Sequence, residues 1–325
     1  MSRRGFTLVE LLVVAGIFAM LFAMVLNGAR PSASGQVRQA AQQIASVLLS
    51  VQSKALGNPA GAGVVFEPST ATSGSASVTT VSAAATLPWI VGSGSLTVLT
   101  ATTARITVTP DNADQADVAH GYKVQFFESA PAAQPATAWF AFTAVTSGTS
   151  GTASFRADAG QTAANTIWPQ PVAGGALESR IARYPGVAEA LYQLPKGVAV
   201  DLRYSGVGDD PATVWGGLAG KGAIGLTFDS IGGVDVLMQQ VLAAATDRIA
   251  GREPVHPVSP VYLLVATQAD VDADTALASE RSMWVAVHPQ TGRVSVAANV
   301  AQTAKDATAL RAARAKARAQ TMIGK

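Results

Sequence analysis

The sequence predicts an α+β fold in which helices come first and mostly antiparallel strands follow. The first observation is an apolar run over residues 6–26. The second is an amphipathic helical repeat over residues 36–56, and the third is a series of strand-like segments from residue 61 onward, separated by glycine-containing turns. A chain of 325 residues is long enough for one large domain or two small ones with a hydrophobic core.

The apolar run contains 21 residues, no proline and one ionisable residue, Glu10. As a helix with a rise of about 1.5 Å per residue it is roughly 31 Å long, which matches a hydrocarbon core of about 30 Å. Arg3 and Arg4 precede the run, and basic residues at this end favour a cytoplasmic amino terminus. We therefore predict one transmembrane helix over residues 6–27, with the rest of the chain on the opposite side of the membrane.

Glu10 is costly in such a helix, about 2.5–3.5 kcal/mol on insertion scales, so a compensating partner is expected. The residues GFTLVE at 5–10, after a short basic leader, resemble the class III signal of type IV prepilins and type II secretion pseudopilins. The resemblance implies a leader over residues 1–5, cleavage between Gly5 and Phe6 by prepilin peptidase, and methylation of the new amino terminus. It also implies that Glu10 pairs with the amino-terminal charge of a neighbouring subunit, an attraction that is strong in a low dielectric.

Two other interpretations of the amino-terminal run remain open. A secretory signal peptide would have an apolar region of about 7–15 residues and a small-residue cleavage site. Ser32 and Ser34 could provide such a site, but the 21-residue run is longer than that. A plain signal anchor, in which Glu10 faces the membrane interface, is the second alternative.

Residues 28–57 predict a kink followed by an amphipathic helix. Gly28 and Pro31 favour an interruption as the chain leaves the apolar run. The apolar positions that follow fall at spacings of three and four, and they are Val37, Ala41, Ile44, Leu48, Val51 and Ala55. Such a stripe predicts that the helix packs on another element, and residues 57–59 are a plausible stop. The prepilin resemblance implies that this other element is a β-sheet.

Strand-like segments dominate residues 58–300, which we interpret as a β-rich globular domain. The predicted strands are 62–67, 95–110 with a break near residue 102, and a hairpin pair at 122–128 and 137–145. A Ser/Thr/Ala-rich insert covers about residues 69–175, and within it 69–85 and 146–175 are interpreted as variable loops or edge strands. Residues 178–193 predict one or two short helices.

Four segments in the second half of the chain follow one another in an informative order. They are 194–200, 225–233, 261–265 and 284–296, and the last contains Thr291-Gly292-Arg293-Val294. Their order and spacing resemble those of minor H-type pseudopilins and their pilus counterparts, although the insert is longer than in that family. The resemblance implies a final series of strands and hairpins, and a structural role in a filament.

No catalytic, cofactor-binding or metal site is predicted. His120, His256 and His288 are isolated in the sequence, and exposed strand or loop positions are expected for them. The sequence contains no phosphate-binding loop and no Gly-x-Ser-x-Gly nucleophile motif. These patterns argue against an enzyme.

Alternating aspartates over residues 270–274 form the one pattern that could offer oxygen ligands to calcium. The segment lacks the glycine and the final glutamate of an EF-hand loop. A solvated loop that leads into a short helix at 275–281, with Asp274 as its cap, is therefore the favoured interpretation.

Composition adds two expectations. The chain contains no cysteine, so its exported domain has to be stable without disulfides. The formal net charge is +2, but removal of Arg3 and Arg4 with the leader leaves 21 basic and 21 acidic residues.

Residues 301–325 form a basic, alanine-rich tail with helical propensity. A solvated, frayed terminus is expected, and contact with anionic lipid, acidic subunits or nucleic acid is the alternative.

Together these features predict a structural subunit, with no cofactor. The resemblances imply a minor pseudopilin of a type II secretion-like periplasmic filament, anchored once in the bacterial inner membrane with its globular domain in the periplasm. Expected partners are prepilin peptidase, other pseudopilin or pilin subunits, the inner-membrane assembly platform and membrane lipid; no nucleic acid partner is expected. The alternatives are a minor pilin of a type IV pilus, which would act in adhesion, motility or DNA uptake, and a membrane-anchored binding module or hydrolase.

Overall fold

Two helices lead into a nine-stranded antiparallel sheet, and a closed six-stranded barrel is inserted between two strands of that sheet. This architecture comes from a computed structural model. It describes residues 8–28, 32–58, 61–69, 76–85, 90–98, 103–110, 121–128, 140–147, 150–154, 177–183, 187–213, 215–239 and 255–323. The predicted α+β class is confirmed.

The two amino-terminal helices are α1, Leu8–Gly28, and α2, Ala33–Ala55. The second helix starts with its own cap, because the Ser32 hydroxyl oxygen accepts a hydrogen bond of 3.2 Å from the Gly35 amide. The predicted kink falls partly on residues 29–31, which lie outside the described residues, and it stays a prediction.

The strands alternate in direction throughout both sheets. In chain order they are β1 Ala62–Pro68, β2 Ser77–Ala85, β3 Ile90–Val98, β4 Thr103–Pro110, β5 Gly121–Glu128, β6 Phe140–Ser147, β7 Ser150–Ser154, β8 Leu177–Arg183, β9 Val187–Gln193, β10 Val198–Val207, β11 Ile224–Phe228, β12 Val234–Gln239, β13 Val261–Thr267, β14 Met283–Val287 and β15 Val294–Ala298. The main sheet has the order β12-β11-β1-β2-β10-β13-β14-β15, with β9 also paired to β2. The barrel has the order β3-β4-β7-β6-β5-β8.

Helix α2 packs on one face of the main sheet and forms the principal core with it. Its buried residues are Val37, Ala40, Ala41, Ile44, Val47, Leu48, Val51 and Ala55. They include every member of the predicted apolar stripe. Burial of a side chain such as Ile44 or Leu48 contributes about 1.5–3 kcal/mol.

The opposite face of the sheet is covered by carboxy-terminal elements. These are α3, Gln268–Asp272, a 3₁₀ turn at Ala276–Ala278, and α4, Ala307–Ile323. Leu310, Ala313 and Ala317 of α4 belong to the same buried cluster as Tyr262 and Trp284 of the sheet. The predicted helical propensity of the tail is confirmed, but the prediction of a solvated tail is wrong. Alanines let the helix approach the sheet closely, so that it is buried with few large apolar side chains.

Two other local predictions are wrong. The described residues of the segment 178–193, where helices were predicted, form strands β8 and β9 instead, because β8 pairs with β3 and β5 while β9 pairs with β2. Residues 77–85, predicted as a loop or edge strand, form β2, which lies between β1 and β10 inside the sheet. Pairing on both sides overrides the weak strand propensity of a Ser- and Ala-rich segment.

The hairpin predictions are confirmed. Strand β5 pairs with β6 as expected for 122–145, and the segment 95–110, predicted as strands, lies in β3 and β4, which pair with each other. In the main sheet, β11 pairs with β12 and β14 pairs with β15. The last part of the predicted insert, residues 155–175, lies outside the described residues.

Gln52 fixes the end of α2 to two hairpin turns of the sheet. Its Nε2 donates to the Gly232 and Thr291 carbonyl oxygens, at 2.8 Å each. The turns are tightly packed here, since a Cβ at Gly292 would collide with the Gly232 carbonyl oxygen, and Gly292 has a positive φ of 59°. One side chain therefore joins the helix to both the β11–β12 and the β14–β15 connections.

Gln52→Ala is expected to lower the free energy of unfolding by about 1–2 kcal/mol, because both carbonyl oxygens lose their donor. Gln42→Ala makes the same change at an exposed position of the same helix and serves as the control. Denaturant unfolding of the full chain in detergent measures both. Equal effects of the two variants would contradict the role of Gln52.

Candidate assembly site

The candidate assembly site begins with α1, whose described side chains are apolar and exposed. Met20 is 74% exposed and Phe18 is 59% exposed. An apolar helix without protein cover has a favourable environment only in lipid or among other apolar helices. Among the described residues, no helix is both long enough and apolar enough to cross a membrane.

The predicted processing residues are not brought into a site here. Gly5 and Phe6 lie outside the described residues, and Glu10 lies in α1 with its side chain outside the described set. Their predicted roles in cleavage and assembly therefore stay predictions.

At the other end of the chain, Arg314 of α4 is fully buried against the sheet. Its guanidinium donates to three carbonyl oxygens, those of Gly208 at 2.8 Å and of Tyr204 and Gly216 at 2.7 Å. The charged group also lies 5.7 Å from the centre of the Tyr262 ring. Burial lowers the pKa of Arg314 to about 10, so the side chain still carries its charge at neutral pH.

Ion pairs at the rim of α4 add to this attachment. Arg311 lies 3.0 Å from Asp210, and Arg318 lies 3.0 Å from Asp209. Before the helix, Lys305 lies 2.9 Å from an oxygen of Asp274. These basic residues of the tail thus pair with carboxylates of the same molecule, which removes support from the alternative that they contact anionic lipid, acidic subunits or nucleic acid.

Asp201 and Asp274 belong to one charged network beneath the α3 segment. The buried Asp201 carboxylate accepts from Arg203 Nε at 3.1 Å and from a terminal Arg203 nitrogen at 3.0 Å. Desolvation raises the pKa of Asp201, and the Arg203 guanidinium acts in the opposite direction. Asp274 accepts from the Tyr204 hydroxyl at 2.9 Å. The Lys305 ammonium, by its hydrogen bond, lowers the pKa of Asp274.

The aspartates considered as possible calcium ligands accept hydrogen bonds from protein donors. Asp270 accepts from the Thr275 hydroxyl at 3.3 Å, and Asp272 accepts from Gln268 Nε2 at 2.7 Å. Within the described part of the chain, no group of three or more His, Cys, Asp or Glu side chains is placed to hold a metal ion.

The predicted cap at Asp274 is wrong. The predicted helix at 275–281 is only the 3₁₀ turn Ala276–Ala278, with Thr275 before it and no side-chain cap. Asp274 has a positive φ of 56°, and its carboxylate turns toward Tyr204 and Lys305 instead. Two donors on neighbouring elements, which sequence spacing does not reveal, take the carboxylate away from the helix.

Two of the three histidines lie within the described residues. His256 and His288 are exposed, as predicted, and His120 lies outside the described residues. His256 borders a cavity of about 390 Å³ whose walls include Val207 and Trp215. The carboxylates on this cavity are Asp209 and Asp210, which pair with arginines of α4 as described above.

The fold defines an α+β protein with an exposed apolar helix at its amino-terminal end and a second helix packed on an antiparallel sheet. A family model described as the prokaryotic N-terminal methylation motif matches residues 1–26. This class III signal supports a type IV pilin-like protein in general, a prepilin-peptidase substrate that assembles with other pilin subunits. No curated protein and no solved structure matches the chain.

Sequence reasoning missed Gln52 and Arg314, the two side chains that fix the helices to the sheet. Nothing in the sequence indicates the role of Gln52, because its partners lie 180 and 239 residues away in the chain. The burial of Arg314 is weakly indicated, since Arg314 lies in a helical stripe with Leu310 and Ala317.

Arg314→Ala is expected to lower the free energy of unfolding by about 2–4 kcal/mol and to release α4, because three buried carbonyl oxygens lose a charged donor. Lys316→Ala, at an exposed position of the same helix, is the control and should have little effect. Denaturant unfolding and proteolytic cleavage within α4 measure the two results. If the variants behave alike, Arg314 does not hold the helix.

Asp274→Asn is expected to cost about 0.5–1 kcal/mol at neutral pH, since the Asp274 pair is partly exposed. Asparagine tolerates the positive φ, so the change isolates the charge. The pKa of Asp274 is lowered on folding, so its contribution is present above the unfolded pKa of about 3.9 and is lost as pH falls further. The difference between wild type and variant in denaturant unfolding should therefore be constant around neutral pH and shrink as pH falls below about 3.9. A difference that is constant with pH would contradict this origin.

Proposed function

We propose that this protein is a minor pseudopilin, a structural subunit of a type II secretion-like periplasmic filament. The observation that carries the proposal is the methylation signal at residues 1–26, which leads into an exposed apolar helix and then into a helix buried on a sheet. In this proposal the chain is cleaved between Gly5 and Phe6, and the new amino terminus is methylated.

The mechanism we propose is assembly by transfer of the apolar helix. Residues 6–27 span the inner membrane before assembly, with the amino terminus in the cytoplasm and the globular domain in the periplasm. On assembly the helix leaves the bilayer for a bundle of similar helices, where Glu10 pairs with the amino-terminal charge of a neighbour. The separate cap at Ser32 and the burial of α2 support a division in which α1 changes its environment while α2 stays on the sheet.

The choice of a secretion filament rests on the order of the carboxy-terminal segments. The hairpins β11–β12 and β14–β15, the latter with the Thr291-Gly292-Arg293-Val294 sequence, follow one another as in minor H-type pseudopilins. The partners in this proposal are prepilin peptidase, other pseudopilins and the inner-membrane assembly platform.

Mass spectrometry of the native amino terminus tests the proposal. We expect the mature chain to begin at Phe6 with an N-methyl group. A mature chain that begins near Gly35 would indicate a cleaved signal peptide, and an intact Met1 would indicate a plain anchor; either result would reject the proposal.

Glu10→Ala is expected to leave membrane insertion and cleavage intact but to impair incorporation into filaments, because the amino-terminal charge of the neighbour loses its partner. Val9→Ala, one residue away in the same helix, is the control. Sheared filament fractions, probed for the subunit, measure incorporation. Wild-type incorporation of the Glu10 variant would count against the assembly role of this carboxylate.

A further inference from the structure

We propose that the six-stranded barrel is a self-contained module, and that the body formed by α2, the main sheet and α4 folds and assembles without it. The barrel comprises strands β3 to β8, which run from residue 90 to residue 183. The part of the proposal that concerns assembly rests on the proposed function, whereas the part that concerns folding does not.

The barrel is inserted at one junction, between β2 and β9 of the main sheet. The chain leaves the main sheet at the end of β2 and returns at the start of β9, and these strands pair with each other. Ala85 and Val187, the last residues of the pairing, are register partners. Partners in an antiparallel pair have Cα atoms about 4.5–5.5 Å apart, so a two-residue hairpin loop could join them directly.

The barrel is closed by its own strands. Each of its six strands pairs with two others of the same six, and no strand pairing recorded for the described residues links the barrel to the main sheet. A closed barrel has no free edge, so its backbone hydrogen bonds are satisfied without the body.

The body is equally complete without the barrel. Among the described residues, the buried cluster around α2 and the buried cluster under α4 have no member between residues 90 and 183. Strand β2 is also held by β1 and β10, independently of the insertion. In the described part of the chain, the strands of the main sheet thus share their buried clusters with α2 and α4.

The insertion point places the barrel at a defined end of the body. The end of β2 lies beside the start of β1, since Gly63 and Ala84 are register partners. The start of β1 follows the end of α2, where the Gly57 amide donates to the Ser230 carbonyl oxygen at 3.0 Å. Helix α1 joins the opposite end of α2. In the proposed filament subunit the barrel thus lies at the membrane-distal end.

The test replaces residues 86–186 by Asn-Gly in the full chain. Calorimetry of the intact protein in detergent should show two separable unfolding transitions. The shortened chain should keep the transition of the body and lose the other. A single cooperative transition in the intact protein, or loss of the body's transition in the shortened chain, would overturn the inference.

A control variant replaces residues 230–232, a turn of the body itself, by the same Asn-Gly. It should lower the transition of the body, because the turn loses one residue and the carbonyl oxygen that accepts from Gln52 at position 232 is displaced. This control shows that calorimetry detects damage to the body. It also shows that the body tolerates replacement by Asn-Gly at the barrel junction and not at any turn.

Filament incorporation tests the second half of the inference. The shortened chain should enter filaments at the wild-type level, and an antibody should reach an epitope tag placed in its Asn-Gly turn. Incorporation of wild type but not of the shortened chain would overturn the separation of assembly from the barrel, and a tag hidden in the filament would overturn the distal placement. If wild type itself is absent from filaments, the proposed function fails, while calorimetry still decides whether the barrel is a module.

Discussion

The burial of both faces of the main sheet is the constraint on which the rest of the structure depends. Strand β13 shows it most clearly, because Val261, Leu263 and Val265 join the cluster under α2 while Tyr262 and Leu264 join the cluster under α4. An antiparallel sheet with one wet face would alternate apolar and polar residues, whereas this strand is apolar almost throughout. The fold therefore requires a helical layer on each side, and it has to hold those layers without a disulfide.

The two layers are held by different chemistry. Helix α2 presents large apolar side chains and is positioned along the sheet by their shape. Helix α4 is rich in alanine, whose small side chain does little to fix the position of the helix. The hydrogen bonds of Arg314 fix that position instead. A buried guanidinium is expensive to desolvate, yet only one placement of the helix gives it all three carbonyl acceptors. The cost in stability is thus tied to a single alignment of helix and sheet.

The sequence predicts the parts of the fold that depend on local periodicity and on turns. The stripe from Val37 to Ala55 and the hairpins β11–β12 and β14–β15 are of this kind. The sequence does not predict the strands that depend on pairing with distant segments. Strands β2, β8 and β9 consist of small or mixed residues, and they are extended because they pair with strands far along the chain. The closure of the barrel and the partners of Gln52 and Arg314 could not be predicted for the same reason, because they depend on contacts between residues far apart in the chain. For the candidate site the apolar run was recognisable from residues 6–26 alone.

The attachment of α4 also has a consequence for the order in which the molecule is completed. This helix follows every strand of the sheet in the chain, yet it covers Tyr262 and Trp284 and satisfies the carbonyl oxygens at the end of β10. A polypeptide that stops before residue 307 would therefore expose aromatic surface and unpaired backbone groups, which are features of aggregation-prone and protease-sensitive intermediates. Vectorial synthesis thus leaves this face of the sheet open until α4 has been made, and a chain that lacks α4 differs from one that contains it in surface chemistry as well as in length.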